Sequence, residues 1–165
     1  MPRLLLTLPL LSVGCDPSIE DLPCDSVELV EGSYTFEGSQ HQASDVSLHQ
    51  YVFGGTPDDP CLKNLELATG SGSQLSVHGG AGDSSASASL SLDGYGVWVE
   101  DREKLRAHVY IESASSSCVD TRVRVVGQGM RMYVDGSEDW GPYDLSSFSL
   151  TVDLRQPARW DAGGC

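Results

Sequence analysis

The feature of this sequence that most restricts its fold is an alternation of apolar and polar side chains with a period of two. From Val27 onward this period recurs, as in the run SASASLSL over 85–92, where alanines and leucines alternate with serines. Successive side chains of a strand point to opposite faces, so the run has one apolar face and one hydroxyl face. The chain is therefore expected to fold as β-strands.

A hairpin around Asp93 and Gly94 is the clearest local structure. An Asp-Gly pair favours the tight two-residue turn that joins antiparallel strands. Counting outward from that turn gives three apolar pairs: Leu92 with Tyr95, Leu90 with Val97 and Ala88 with Val99. Both arms then present their apolar residues on the same face, as a hairpin requires.

Further strands are indicated along the rest of the chain. Alternation continues over 105–112, 119–125 and 148–155, and shorter runs occur in SVELVEGSYTFEG, DVSLHQYVF, QLSVH and MRMYV. With Gly, Ser and Asp turns between them, these runs predict an all-β fold of about 8–10 strands, either an antiparallel β-sandwich or a small β-barrel. The segment DDPCLKNLELA is ambiguous, because Asp59 and Pro60 could begin a helix while Leu65 and Leu67 also suit a strand.

The first fourteen residues have a different character. Arg3 precedes an apolar run over 4–13, and the small residue Gly14 follows it. This run is too short to cross a bilayer, which needs about 20 residues, and it has the pattern of a secretory signal. We expect a signal peptide over 1–14, a tether over 15–26 and a single β-domain over 27–165.

The residues Ser12, Val13, Gly14 and Cys15 resemble the lipobox of bacterial lipoprotein signal peptides, although leucine is more usual at the position of Ser12. In that family the chain is cut before the cysteine, which then carries acyl chains. The resemblance implies a lipidated Cys15 and a lipid anchor in the membrane of the bacterial cell envelope, on the periplasmic side or at the cell surface. It covers the first fifteen residues and does not extend to the β-domain.

The cysteine count agrees with this interpretation. Five cysteines are an odd number for an exported chain, and assigning Cys15 to lipid leaves Cys24, Cys61, Cys118 and Cys165 for two disulfides. Zinc is disfavoured, because the spacings are wide and no CxxC pair occurs. Three pairings remain open, and the shorter loops favour Cys24–Cys61 and Cys118–Cys165, which would pin the end of the chain.

Composition and motifs exclude several functions. The net charge of −14, from 10 Lys and Arg against 24 Asp and Glu, argues against nucleic acid as a partner. No GxSxG, P-loop or HExxH motif occurs, so no cofactor is expected. The histidines show no spacing typical of metal ligands, and they are scattered along the chain at His41, His49, His78 and His108.

The acidic segment DGSEDWGPYD holds the candidate ligand contacts. Trp140 and Tyr143 in this segment, and Trp98 in the hairpin, could stack on a sugar or a partner protein, or the segment could close one end of the domain. A weaker alternative is a calcium site formed by three alternating oxygen ligands, Asp135, Ser137 and Asp139. The glycine and the final glutamate of an EF-hand loop are missing, so no metal is assigned.

These observations predict a membrane-anchored envelope module, without enzymatic activity, that binds a protein, a glycan or a small ligand or has a structural role. One alternative is a hydrolase whose carboxylates come from separate strands, such as Glu100, Glu112 or Asp153. Another is a lipocalin-like carrier with a hollow barrel. A cleft with two close carboxylates would favour the hydrolase, and a packed interior would favour binding or structure.

Overall fold

A computed structural model describes residues 23–70, 72–79, 85–97, 99–134, 141–161 and 163. Over these residues the chain has an all-β fold with a small closed antiparallel barrel and further strands. The predicted fold class is confirmed, and of the two predicted architectures the barrel is the one found. In this part of the chain, no helix has the length and apolar character needed to cross a membrane.

Eleven strands occur within the described residues, and one short 3-10 helix, Val99–Lys104, separates two of them. The strands are β1 (Ser26–Phe36), β2 (Ser39–Gln42), β3 (Val46–Thr56), β4 (Asp59–Thr69), β5 (Ser73–His78), β6 (Ser85–Leu92), β7 (Tyr95–Val97), β8 (Leu105–Ala114), β9 (Cys118–Val134), β10 (Tyr143–Pro157) and β11 (Trp160–Asp161).

The strands follow one another as an antiparallel meander. β3, β4, β5 and β6 pair in chain order, β7 and β8 both lie between β6 and β9, and β9 pairs with β10. The first strand returns to pair with β10 and also contacts β3, so the two ends of the meander meet. β11 adds to the other edge of β3 as a parallel strand. Neighbours in sequence are thus mostly neighbours in space, as short connections favour.

The apolar faces predicted from the alternation form the core. Val109, Val123 and Val152 lie side by side on β8, β9 and β10, and each is at most 1% exposed. Met130 and Met132 fill the interior beside them with no exposed surface. Removing one such side chain from water contributes roughly 1.5–3 kcal/mol, so these rows are the main source of stability.

The ambiguous segment DDPCLKNLELA is a strand. It forms β4, in which Leu65 pairs with Tyr51 on β3 and with Val77 on β5. Asp59 and Pro60 belong to the hairpin that joins β3 to β4, rather than to a helix cap. Pairing with β3 along the strand, and with β5 from Asn64 to Ala68, provides backbone partners that override a local helix signal.

The predicted hairpin is confirmed at its turn and wrong further out. Leu92 pairs with Tyr95, and both turn residues have positive φ, 47° at Asp93 and 86° at Gly94. The pairings predicted for Leu90–Val97 and Ala88–Val99 are not formed, because β7 ends at Val97 and the 3-10 helix begins at Val99. Contacts of this helix with β9, described below, replace the missing strand pairs.

The favoured disulfide pairing is wrong. Cys24 is bonded to Cys118, with 6.0 Å between their Cα atoms. Cys118 lies opposite Pro157 at the end of β10, and Asp25 donates from its backbone to Arg155 of the same strand, so β10 brings the two cysteines together. Sequence separation is therefore a poor guide here. Cys61 is also disulfide-bonded, whereas Cys15 and Cys165 lie outside the described residues.

Replacing Cys24 and Cys118 together by serine is expected to lower the free energy of unfolding by about 4–5 kcal/mol, since the bond closes a loop with a sequence separation of 94. Urea denaturation of the oxidised protein measures this change. Peptide mapping without reduction should recover Cys24 linked to Cys118, and recovery of Cys24 linked to Cys61 instead would contradict the structure.

Candidate functional site

The candidate site lies where β6 loses its strand partner. β6 pairs with β7 at Ser91 and Leu92 and with β8 at Ser85 and Ala86. Over residues 87–90 this edge of β6 has no strand partner among the described residues. The chain that would complete the pairing forms the 3-10 helix instead, which leaves an opening in the sheet.

The carboxylate of Asp101 holds the 3-10 helix against β9. Its Oδ2 atom accepts hydrogen bonds of 2.8 Å from both the backbone N–H and the Nε atom of Arg131. Its Oδ1 atom lies 2.8 Å from Nζ of Lys104, which also donates to the carbonyl oxygen of Gly129. Asp101 is only 2% exposed. A buried carboxylate with this many donors is a strong local constraint.

These contacts change the ionisation of both partners. The hydrogen bonds from Arg131 hold the pKa of the Asp101 carboxyl well below its usual range, although burial acts in the opposite direction. The same bonds, with a further one to Glu100, raise the pKa of Arg131. The carboxylate therefore remains ionised at neutral pH and keeps the helix in position.

A ladder of polar side chains forms the outer wall of the opening. On β5 and β6 the outward-facing residues pair as Gln74 with Ser91, Ser76 with Ser89 and His78 with Ser87. Ser87 donates to the carbonyl oxygen of His78. The side chains of Gln74, Ser76, Ser89 and Ser91 make no hydrogen bond within the described part of the chain. Their donors and acceptors are therefore available to a ligand.

The ladder and the 3-10 helix enclose an open groove with two compartments of about 310 and 690 Å³. Both compartments are lined by Ala88, Ser89, Arg102 and Leu105, so they adjoin. Volumes of this size are typical of sites for small ligands. The outer compartment of the groove has a larger volume than the other surface cavities lined by described residues, which measure about 120–420 Å³.

The inner compartment combines apolar and polar surface. Leu90, Val97 and Leu105 line it with apolar atoms, and Tyr133 lies against Gly96 of the neighbouring strand. A Cβ atom at Gly96 would be 3.2 Å from Cζ of Tyr133, so glycine leaves room for the ring. The groove therefore offers an apolar strip beside a row of hydroxyl and amide groups.

The outer compartment carries uncompensated positive charge. Arg102 and Arg106 line it and make no ion pair within the described residues, while Glu103 is the acidic residue beside them. Arg124 on β9 is also unpaired there and lies diagonally across from Arg106. Elsewhere in the described chain lysines and arginines are engaged, as Arg155 is with Asp120 and Lys63 with Asp161.

The carboxylates predicted for a hydrolase lie in ion pairs outside the groove. Arg122 donates to Asp153 through two hydrogen bonds of 2.7 Å, and its Nη1 atom lies 3.8 Å from Glu112. Glu100 is elsewhere, 2.9 Å from Arg131. The structure thus brings Glu112 and Asp153 to one arginine, which forms an ion pair with each of them.

The predicted ligand contacts are separated from the groove or lie outside the described residues. Tyr143 is half-buried in an aromatic cluster, with its ring 4.9 Å from that of Tyr95 and 6.1 Å from that of Phe36. Five residues fall outside the described part: Trp98, Asp135, Ser137, Asp139 and Trp140. The described residues contain no cluster of three or more His, Cys, Asp or Glu that could hold a metal ion.

The residues of the groove were only partly visible in the sequence. The alternating serines of β6 predict a hydroxyl face, and this face is the wall of the groove. No sequence motif identifies Arg102 and Arg106. What distinguishes them is that no described acidic residue forms an ion pair with them in the folded chain. Comparison of the chain with protein-family models, with curated proteins and with solved structures finds no match.

Replacing Asp101 by Asn is expected to lower the melting temperature by roughly 4–8 °C, because the charge-assisted bonds to Arg131 are lost. The pKa of Asp101 is lowered by folding, so its contribution is complete above the unfolded value of about 4 and disappears as the pH falls below it. Thermal denaturation at descending pH should therefore show a weaker acid dependence in the variant.

Glu100→Gln is the matched control, since Glu100 contacts the same arginine with a side chain that is 72% exposed. It should change the melting temperature little. Hydrogen exchange of the Arg131 amide should accelerate in Asp101→Asn alone. Equal acceleration in both variants would contradict the assigned role of Asp101.

Proposed function

We propose that this chain is a lipid-anchored module of the bacterial cell envelope, without enzymatic activity, that binds a polar ligand in the groove between β6 and the 3-10 helix. The observation that carries the proposal is the groove itself. Its wall presents side chains that have no hydrogen-bond partner in the described chain, including Ser76, Ser89 and Ser91. Unused polar groups that converge on a concave surface favour ligand binding.

The surroundings of the groove favour binding over catalysis. Among the described residues, Glu103 is the acidic residue on the lining of the groove, and the serines there make no hydrogen bond to a basic side chain. A serine nucleophile needs such a base to become reactive. The candidate carboxylates Glu112 and Asp153 are engaged by Arg122. The groove therefore offers recognition groups without an activated nucleophile.

The packing of the barrel interior favours a ligand site on the surface over a ligand cavity inside the barrel. Ala86, Leu90 and Leu92 belong to the packed core, where they contact the apolar side chains of neighbouring strands. Ser87, Ser89 and Ser91 of the same strand alternate with these residues and face outward. A lipocalin-like carrier holds its ligand in a cavity inside the barrel, and that cavity would need a volume similar to that of the surface groove.

The anchor is supported by the first fifteen residues of the sequence, in which Cys15 follows a short apolar run. Several acyl chains hold a protein stably in a bilayer, because each buried methylene contributes about 0.8 kcal/mol. The disulfide between Cys24 and Cys118 is of the kind that persists in an oxidising compartment, where this proposal puts the domain.

Expression with Cys15→Ala in a bacterial host is expected to move the protein from the membrane fraction to the soluble fraction, since the acylated thiol is lost. Fractionation by centrifugation measures the change, and the intact mass of the detergent-extracted protein should show a chain that begins at acylated Cys15. An unmodified wild-type chain that washes from membranes in plain buffer would overturn the anchor.

Filling the groove is expected to abolish ligand binding. A ligand at a hundred times its Kd raises the free energy of unfolding by about 2.7 kcal/mol, which a thermal-shift assay detects. In a panel of neutral and acidic oligosaccharides, short peptides and carboxylic acids, at least one should stabilise the wild type but not Ser89→Trp. Ser89 lies on an exposed strand face, where a large aromatic residue is tolerated.

Ser39→Trp supplies the matched control, because Ser39 is an exposed strand serine on β2, far from the groove lining in the sheet order. It should retain the stabilisation by ligand. If no compound stabilises the wild type, or if Ser89→Trp responds as the wild type does, the groove is not a binding site.

A further inference from the structure

We propose that the ligand of the groove is an acidic saccharide, a sugar chain whose carboxylate, phosphate or sulfate group contacts Arg102 and Arg106 while its hydroxyl groups contact the serine ladder. This inference rests on the proposed function and specifies its ligand. Two observations support it. The first is the position of arginines that have no described ion-pair partner, and the second is the combination of polar and apolar side chains on the groove lining.

The first argument is the position of the unpaired arginines. In a chain with a net charge of −14, acidic side chains outnumber basic ones and are available to pair with most of them. Nevertheless Arg102, Arg106 and Arg124 have neither an ion pair nor an aromatic contact in the described chain. Arg102 and Arg106 line the same compartment. Two guanidinium groups without a described partner on one compartment can recognise an anion, and Arg124 lies outside the groove lining.

The acidity of the whole chain does not prevent such binding. Charges separated by more than about 8–10 Å are largely screened at physiological salt. Two other carboxylates of the 3-10 helix, Asp101 and Glu100, are paired with Lys104 and Arg131. Among the described residues that line the outer compartment, Glu103 is accompanied by two arginines, so their summed charge is positive.

The second argument is the lining of the inner compartment. Ser76, Ser89 and Ser91 present hydroxyl groups at the spacing of alternate strand residues, and Gln74 adds an amide that can both donate and accept. At the gap in the sheet the edges of three core residues, Leu90, Val97 and Leu105, border these groups, and each is at most 5% exposed. A sugar ring has a rim of hydroxyl groups and a face of C–H bonds, so it complements a surface that joins a polar row to an apolar strip.

The two compartments together account for both parts of the ligand. They share Ala88, Ser89, Arg102 and Leu105, so one molecule can occupy both. The larger compartment, about 690 Å³, contains the arginines and admits the charged group with its shell of water. The smaller one, about 310 Å³, contains most of the hydroxyl wall. A free inorganic anion would use only the arginines.

Isothermal titration calorimetry of the full-length chain in detergent tests the proposal with three probes: trigalacturonate, neutral maltotriose and inorganic phosphate. Trigalacturonate should bind more tightly than either of the others, and added salt should weaken its binding. The double variant Arg102→Gln/Arg106→Gln should reduce its affinity at least about tenfold. Arg159→Gln is the charge-matched control, because Arg159 lies over the ring of Tyr51. It should leave the affinity unchanged.

Three outcomes would overturn the proposal. Maltotriose binding as tightly as trigalacturonate, with sensitivity to Ser89→Trp but not to the arginine variant, would mean a neutral ligand and would leave the proposed function intact. Phosphate competing as well as trigalacturonate would reduce the site to one for a simple anion. Absence of binding by all three probes, together with a failed thermal-shift panel, would remove both the acidic saccharide and the proposed function.

Discussion

The carboxylate of Asp101 is the contact on which the shape of the exposed surface depends. Strand pairing would carry the chain straight from β7 into β8, closing the sheet against β6. Asp101 instead accepts from the backbone and side chain of Arg131, and so provides β9 with a partner that is not a strand. The 3-10 helix is retained outside the sheet, and the edge of β6 stays open over residues 87–90. The ion pair between the buried Asp101 and the half-exposed Arg131 is thus associated with an open groove at this place in the sheet.

The groove also illustrates how an acidic chain can make a basic site. Positive charge is created by leaving arginines unpaired, rather than by adding more of them. Asp120 engages Arg155 and Asp153 engages Arg122, which removes those arginines from the electrostatic surface. Arg102 and Arg106 are exposed and have no ion-pair partner in the described part of the chain. Such a site attracts anions only at close range, because charges more than about 8–10 Å apart are largely screened at physiological salt.

The sequence predicts those features that depend on the period of side chains along one strand. The inward rows of β8, β9 and β10, including Val109, Val123 and Val152, follow from alternation alone, and so does the turn at Asp93 and Gly94. A period of two holds only while the chain remains a strand. The break after Val97 depends on a contact between Asp101 and Arg131, which are 30 residues apart, and local pattern does not report contacts at that distance.

The disulfide could not be predicted for a related reason. Cys24 and Cys118 meet because β10, a strand far later in the chain, lies between the ends of β1 and β9. The same limit applies to Arg102 and Arg106, whose lack of partners is a property of the folded surface. Polar positions of a strand can thus be identified from sequence, but whether each is paired or free is decided by tertiary structure.

The bond between Cys24 and Cys118 also determines how mechanical load enters the domain. Cys24 precedes the first residue of β1 by two positions, and its covalent partner begins β9, a long strand paired along both edges. Tension applied through the amino-terminal segment therefore passes across the sulfur atoms into the middle of the sheet, bypassing β1. The hydrogen bonds between β1 and β10 are not pulled apart one at a time, as they would be if the force entered at the end of an unlinked strand. The domain can be held by its amino-terminal end without that end acting as the point from which the barrel unravels.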